Sequence, residues 1–74
     1  MYFTIGIEKK RDGQPAVNVY PFATKGEAGG KFYQILSEAA PRNPLVFTAF
    51  VVNEYGAMIQ RPESIKNEDD ESQE

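Results

Sequence analysis

Apolar and polar residues alternate from Tyr2 to Lys9, with Phe3, Ile5 and Ile7 on one side and Tyr2, Thr4, Gly6 and Glu8 on the other. A period of two over this length predicts a half-buried strand. Asp12-Gly13 follows, a dipeptide suited to a hairpin turn because such turns need positive φ. Ala16 to Phe22 reads as the return strand, with Val17 and Val19 on one face and Ala16, Asn18, Tyr20 and Phe22 on the other. Pro21 lacks an N–H, which suits an edge strand or a strand end.

The period then changes. Thr24 and Glu27 have the spacing of a helix-capping box. Ala28, Phe32, Ile35, Leu36 and Ala39 recur at helical intervals and form one apolar stripe. Gly29 and Gly30 weaken that helix by about 1 kcal/mol each relative to Ala, and mark either a frayed start or a close approach to a sheet. Pro41 and Pro44 stop it and stiffen the connection. Leu45 to Val52 is apolar on both alternating sets and reads as a third strand. Asn53 to Gly56 is a turn with Gly56 in a left-handed position. Ala57 to Arg61 is a short last strand that Pro62 ends.

This order predicts an α+β domain, ββαββ, over residues 1–61, with an acidic, disordered tail over 62–74. The second strand, the helix and the third strand form a crossover between strands that point the same way. The simplest four-stranded antiparallel sheet then has the order 2-1-3-4, with the helix on one face and the Pro-bearing and shortest strands at the edges. The helix face is expected to gather Phe3, Ile5, Ile7, Val17 and Val19 with Leu45, Phe47, Ala49 and Val51, the set from the third strand that has no polar member. The helix-free face then shows Tyr2, Tyr20, Phe22, Val46, Phe50, Val52 and Met58. A contiguous apolar patch rich in aromatics and Met is the composition of an interaction surface, so these seven residues are the candidate partner-binding set.

Charge sharpens the division. Residues 1–61 carry a net charge of +2 and residues 62–74 a net −5, so the overall −3 belongs to the tail. So acidic and aliphatic-poor a segment buries too little to offset its ordering entropy. Seventy-four residues allow one small core, and a domain of about 60 residues buries only about 60% of its unfolded surface, which leaves it marginal without a partner.

The chain has no Cys and no His, which removes disulfides, thiolate metal sites and the commonest general base. Ser37 and Ser64 therefore have no His to activate them. Glu8, Asp12, Glu27, Glu38 and Glu54 are spread over turns, a cap and a polar helix side rather than converging in a cleft. Asn67 to Glu71 lacks the Gly and ligand spacing of a calcium loop. The Gly26 to Gly30 run lacks the Lys and Ser/Thr of a phosphate loop, and capping explains it better. No enzyme activity, cofactor or metal is expected. Lys9, Lys10 and Arg11 beside a sheet with aromatics resemble a single-strand platform, but a charge of +2 gives little counterion-release affinity. No apolar run reaches membrane-spanning length, and the N-terminus lacks the pattern of a signal peptide, so a cytoplasmic location is expected.

Tyr2-Phe3 opening a strand, Arg11 to Gly13 at a turn, Phe32 to Leu36 in a helix, Val52 to Gly56 before a short strand and an acidic tail begun by Pro62-Glu63 together have a counterpart. The chain resembles small proteins without established activity that are encoded among the structural genes of phages and prophages of gut Firmicutes. The resemblance carries over no catalytic residue. It implies a phage context, cytoplasmic in the host cell or virion-associated, and favours a binding module over a metabolic enzyme.

The sequence thus points to a non-catalytic protein–protein interaction module, a homodimer or other homo-oligomer that associates through the helix-free face or a strand edge. A small nucleic-acid-associated regulator is the alternative. An acidic inhibitor that mimics nucleic acid is the third reading, and it lacks the carboxylates it would need on the folded part.

Overall fold

The computed structural model describes residues 1–67. Four strands and one helix follow one another as β1 (Tyr2–Lys9), β2 (Pro15–Phe22), α1 (Lys25–Arg42), β3 (Val46–Asn53) and β4 (Met58–Lys66). They build one antiparallel sheet of order β2-β1-β3-β4, with the helix on one face. The expected ββαββ architecture and strand order are those of the structure.

Local chemistry explains the element boundaries. Gly13 and Gly56 take positive φ, 89° and 84°, at the two hairpin turns. Asp12 holds the first turn by accepting the Gln14 N–H at 2.9 Å. At the helix start the Glu27 N–H donates to Thr24 Oγ1 at 3.2 Å, and the Thr24 hydroxyl donates to Glu27 Oε1 at 3.1 Å. The capping pair is therefore reciprocal, with the Glu27 side chain meeting the hydroxyl. At the other end Pro41 sits inside the last turn rather than stopping the helix, which closes at Asn43 in the left-handed conformation, φ 54°. Asn tolerates that geometry better than most residues with a Cβ.

Ala28, Phe32, Ile35 and Ala39 turn inward from the helix and meet Phe47, Ala49 and Val51 of β3. The contribution of β1 to this face is small: Thr4 is fully buried, and its hydroxyl donates to Ala28 O at 2.7 Å. Gly6 lies beneath Ile35 and Phe47, so that a Cβ there would stand 3.2 Å from both side chains.

This placement corrects the expected faces of β1 and β2. Opposed residues in an antiparallel pair share a face, and Ile5 stands opposite Val19 on one side and Phe50 on the other. Phe3, Ile5, Ile7, Val17 and Val19 therefore lie on the helix-free face with Phe50. Tyr2, Tyr20 and Phe22 lie on the helix face, half-buried against the core. A register different by one residue would reverse this. Volume opposes it, because Ile35 sits over Gly6, where a Cβ would stand 3.2 Å from its side chain.

The end of the domain also differs from expectation. β4 continues through Pro62 to Lys66, so residues 62–66 belong to the sheet. The ladder pairs Ala49 with Glu63 but Val51 with Gln60, leaving an extra residue on β4. Arg61 and Pro62 fall in that bulge, where a missing N–H breaks no regular pair. The rest of the expected acidic tail, 68–74, lies outside the described residues.

Two substitutions test the close packing. Gly6→Ala is expected to cost about 1 kcal/mol, because a Cβ there would stand 3.2 Å from Ile35 and Phe47 and both would have to shift. Gly30→Ala is expected to stabilise by about 1 kcal/mol, since its Cβ would meet nothing within 4 Å and the helix gains propensity. Thermal melts of the two variants, moving in opposite directions, are the check.

Candidate functional site

The helix-free face is built in rows across the sheet. Val17, Ile7 and Thr48 form one, Val19, Ile5 and Phe50 the next, and Pro21, Phe3 and Val52 the third, extended on β4 by Met58. Across β2, β1 and β3 these rows carry no charged residue. Val17, Val19 and Met58 are 63%, 54% and 51% exposed, so the rim of the face is open to solvent. Phe3, Ile5, Phe50 and Val52 are half-buried by their neighbours alone, since no other element of the described chain lies over them. The polar groups on this face are matched: Thr48 Oγ1 and Ser64 Oγ share a hydrogen bond of 2.8 Å.

Of the seven candidate residues, Val46, Phe50, Val52 and Met58 are on this face. Tyr2, Tyr20 and Phe22 are on the other, where Lys31 Nζ stands 4.4 Å above the Tyr20 ring. The residues that sequence reasoning placed elsewhere are Phe3, Ile5, Ile7, Val17 and Val19. The signal for them was Gly6, whose absent side chain is useful only where another element approaches.

The strand edges are less available than the face. Across the β3–β4 ladder the Asn67 N–H donates to Leu45 O at 2.7 Å. This fixes the even residues of β3 as those bonded to β1, and the odd residues of β1 as their partners. The odd residues of β2, opposite these, point their backbone groups away from the sheet. Two of those four outward positions are Pro15 and Pro21, which offer no donor.

A second concavity, about 520 Å³, lies between the C-terminal half of α1 and the β1–β2 hairpin, lined among others by Gly6, Glu8, Asn18, Arg42 and Phe47. Several of its charged side chains are bonded within the chain. Arg42 Nη2 donates to Glu8 Oε1 at 2.9 Å and its Nη1 to Glu38 O at 3.3 Å, while Arg11 Nε donates to Asn43 O at 2.9 Å. These contacts pin the helix end to the hairpin. Each acid singled out above likewise has a local contact: Glu8 with Arg42, Asp12 with Gln14, Glu27 with Thr24, Glu38 with Gln34 and Glu54 with the Met1 amine. Among the described residues no group of three or more His, Cys, Asp or Glu is placed to hold a metal ion, and no helix is long and apolar enough to cross a membrane.

No protein-family model, curated protein or solved structure matches the chain. The functional reading therefore rests on the geometry of the face.

The turn beside the face carries one perturbed group. The Met1 amine donates to Glu54 Oε1 at 2.7 Å, and this hydrogen bond and its charge hold the Glu54 carboxyl below its ordinary range. A carboxyl lowered in the folded state adds stability above its unfolded pKa and loses it as pH falls through the folded value. In an NMR pH titration, Glu54 is expected to titrate below the ordinary glutamate range, and acetylation of the Met1 amine is expected to raise it.

Proposed function

We propose that this chain is a non-catalytic protein–protein interaction module whose working surface is the helix-free face of its sheet. One observation carries the reading: nine apolar residues, Phe3, Ile5, Ile7, Val17, Val19, Val46, Phe50, Val52 and Met58, share a face that no other described element covers. Continuous apolar surface of this kind on a small domain marks a place where another polypeptide packs. The Thr48–Ser64 hydrogen bond supports the reading, because each hydroxyl keeps one partner when the face is buried. The resemblance to small phage and prophage proteins fits a binding role.

The reading separates the fold from the face. Replacing Ile5, Val19 and Phe50 together by Thr removes apolar contact area while keeping β-branched residues in the strands. The expected outcome is a chain that keeps its far-UV circular dichroism and a cooperative melt. The dilute wild-type chain is expected to bind an apolar fluorescent dye, and the triple variant to lose that binding. A wild-type chain that is monomeric and binds no dye would mean that its own residues close the face, and the proposal would fail.

A further inference from the structure

We infer that the occupant of the helix-free face is a second copy of this chain, packed sheet against sheet about a two-fold axis. The inference rests on the interaction reading above and names its partner.

Area is the first argument. Eight-residue strands rising about 3.3 Å per residue, four of them about 4.8 Å apart, give a face of roughly 26 Å by 19 Å, or about 500 Å². Two copies then bury roughly 1,000 Å² before side-chain corrugation is counted, which is the lower limit for a biological interface. The surface is self-complementary in kind, because its uncharged rows ask for an equally uncharged partner, and a two-fold contact presents one. Twisted sheets stack face to face at about 10 Å, and the row of Val19, Ile5 and Phe50 supplies large side chains at the centre of such a contact.

Side-chain size selects the orientation. The row of Pro21, Phe3, Val52 and Met58 is bulky, whereas the row of Val17, Ile7, Thr48 and Ser64 is smaller. An axis along the strands would stack each row on its own copy, bulky on bulky and small on small. An axis across the strands, through the Ile5 row, sets the bulky row of each copy over the smaller row of the other, which favours close packing. In that arrangement the Phe3 row of one copy faces the Ile7 row of the other.

The native chain has no Cys, so single cysteines report the geometry without interference. Light scattering over a concentration series is expected to show twice the 8.3 kDa mass of the chain. Val19→Glu, at an exposed position on the edge strand, should raise the dissociation constant at least 100-fold with unchanged circular dichroism. Phe50→Glu should do the same from the centre of the face. Mixed Phe3→Cys and Ile7→Cys chains should be joined to each other by a thiol crosslinker of about 10 Å, the sheet spacing. Neither should link to itself, since like residues would stand roughly 17 Å apart by the same spacing and strand rise. Efficient self-linking of Ile7→Cys overturns the axis. A monomer at all concentrations that still binds apolar dye overturns the second copy and leaves the face to a different protein. A monomer that binds no dye overturns both this inference and the reading beneath it.

Discussion

The close seating of the helix on the middle of the sheet is the contact from which the rest of the structure follows. Phe32 and Ile35 are the large inward residues of α1; they join the cluster that holds Ala49, and Ile35 reaches Gly6. Large residues on one layer against small ones on the other is how two elements interlock at interior density. Thr4 adds a directional bond to Ala28 O, so the helix is fixed along the strand as well as above it. Once β1 turns Thr4 and Gly6 toward the helix, its Phe3, Ile5 and Ile7 have only the other face to occupy. Antiparallel pairing then carries Val17, Val19, Phe50 and Val52 to that face with them.

The outcome is a domain in which Phe3, Ile5 and Ile7 of β1 take no part in the enclosed core. The fully enclosed apolar side chains number seven among the described residues, and three of them are alanines. A core of that size gives modest stabilisation against the entropy of ordering more than sixty residues. Covering the second face would remove further apolar area from water. The proposed association thus answers a deficit in the fold and supplies a function through the same atoms.

Much of the architecture was legible because it is encoded over short distances. Asp12-Gly13, the Thr24–Glu27 cap and the helical recurrence from Ala28 to Ala39 each act within a few residues, and each stands in the structure as read. The sheet order followed from a crossover between strands that point the same way and from setting the Pro-bearing strand and the one read as shortest at the edges. The faces of β1 and β2 were not legible from hydrophobicity, because Phe3, Ile5 and Ile7 look like core residues and Thr4 and Gly6 do not. Which set faces the helix is decided by volume across a long-range contact, and alternation alone is silent on it. On β3 one candidate set held no polar member, and there the reading placed Phe47, Ala49 and Val51 correctly. Four of the seven candidate residues were therefore found on the face, and three were exchanged with the opposite one. Pro62 misled for a related reason: a proline ends a regular strand, but a bulge on an edge strand accommodates it.

The distribution of prolines bears on why a face rather than an edge is the natural place for association. Open edges invite strand addition, which repeats without limit because each added strand exposes a new edge. Here β2 spends two outward positions on Pro15 and Pro21, and β4 is interrupted by bulges around Pro62. Both edges are thus poor templates for backbone pairing, while the apolar face is left intact. A face contact about a two-fold axis is consumed once formed, so it ends at two copies. Under the proposed reading the chain keeps a sticky surface and avoids open-ended growth by the same choice of residues: prolines where the backbone faces outward, and bulky apolar side chains where only a finite contact is possible.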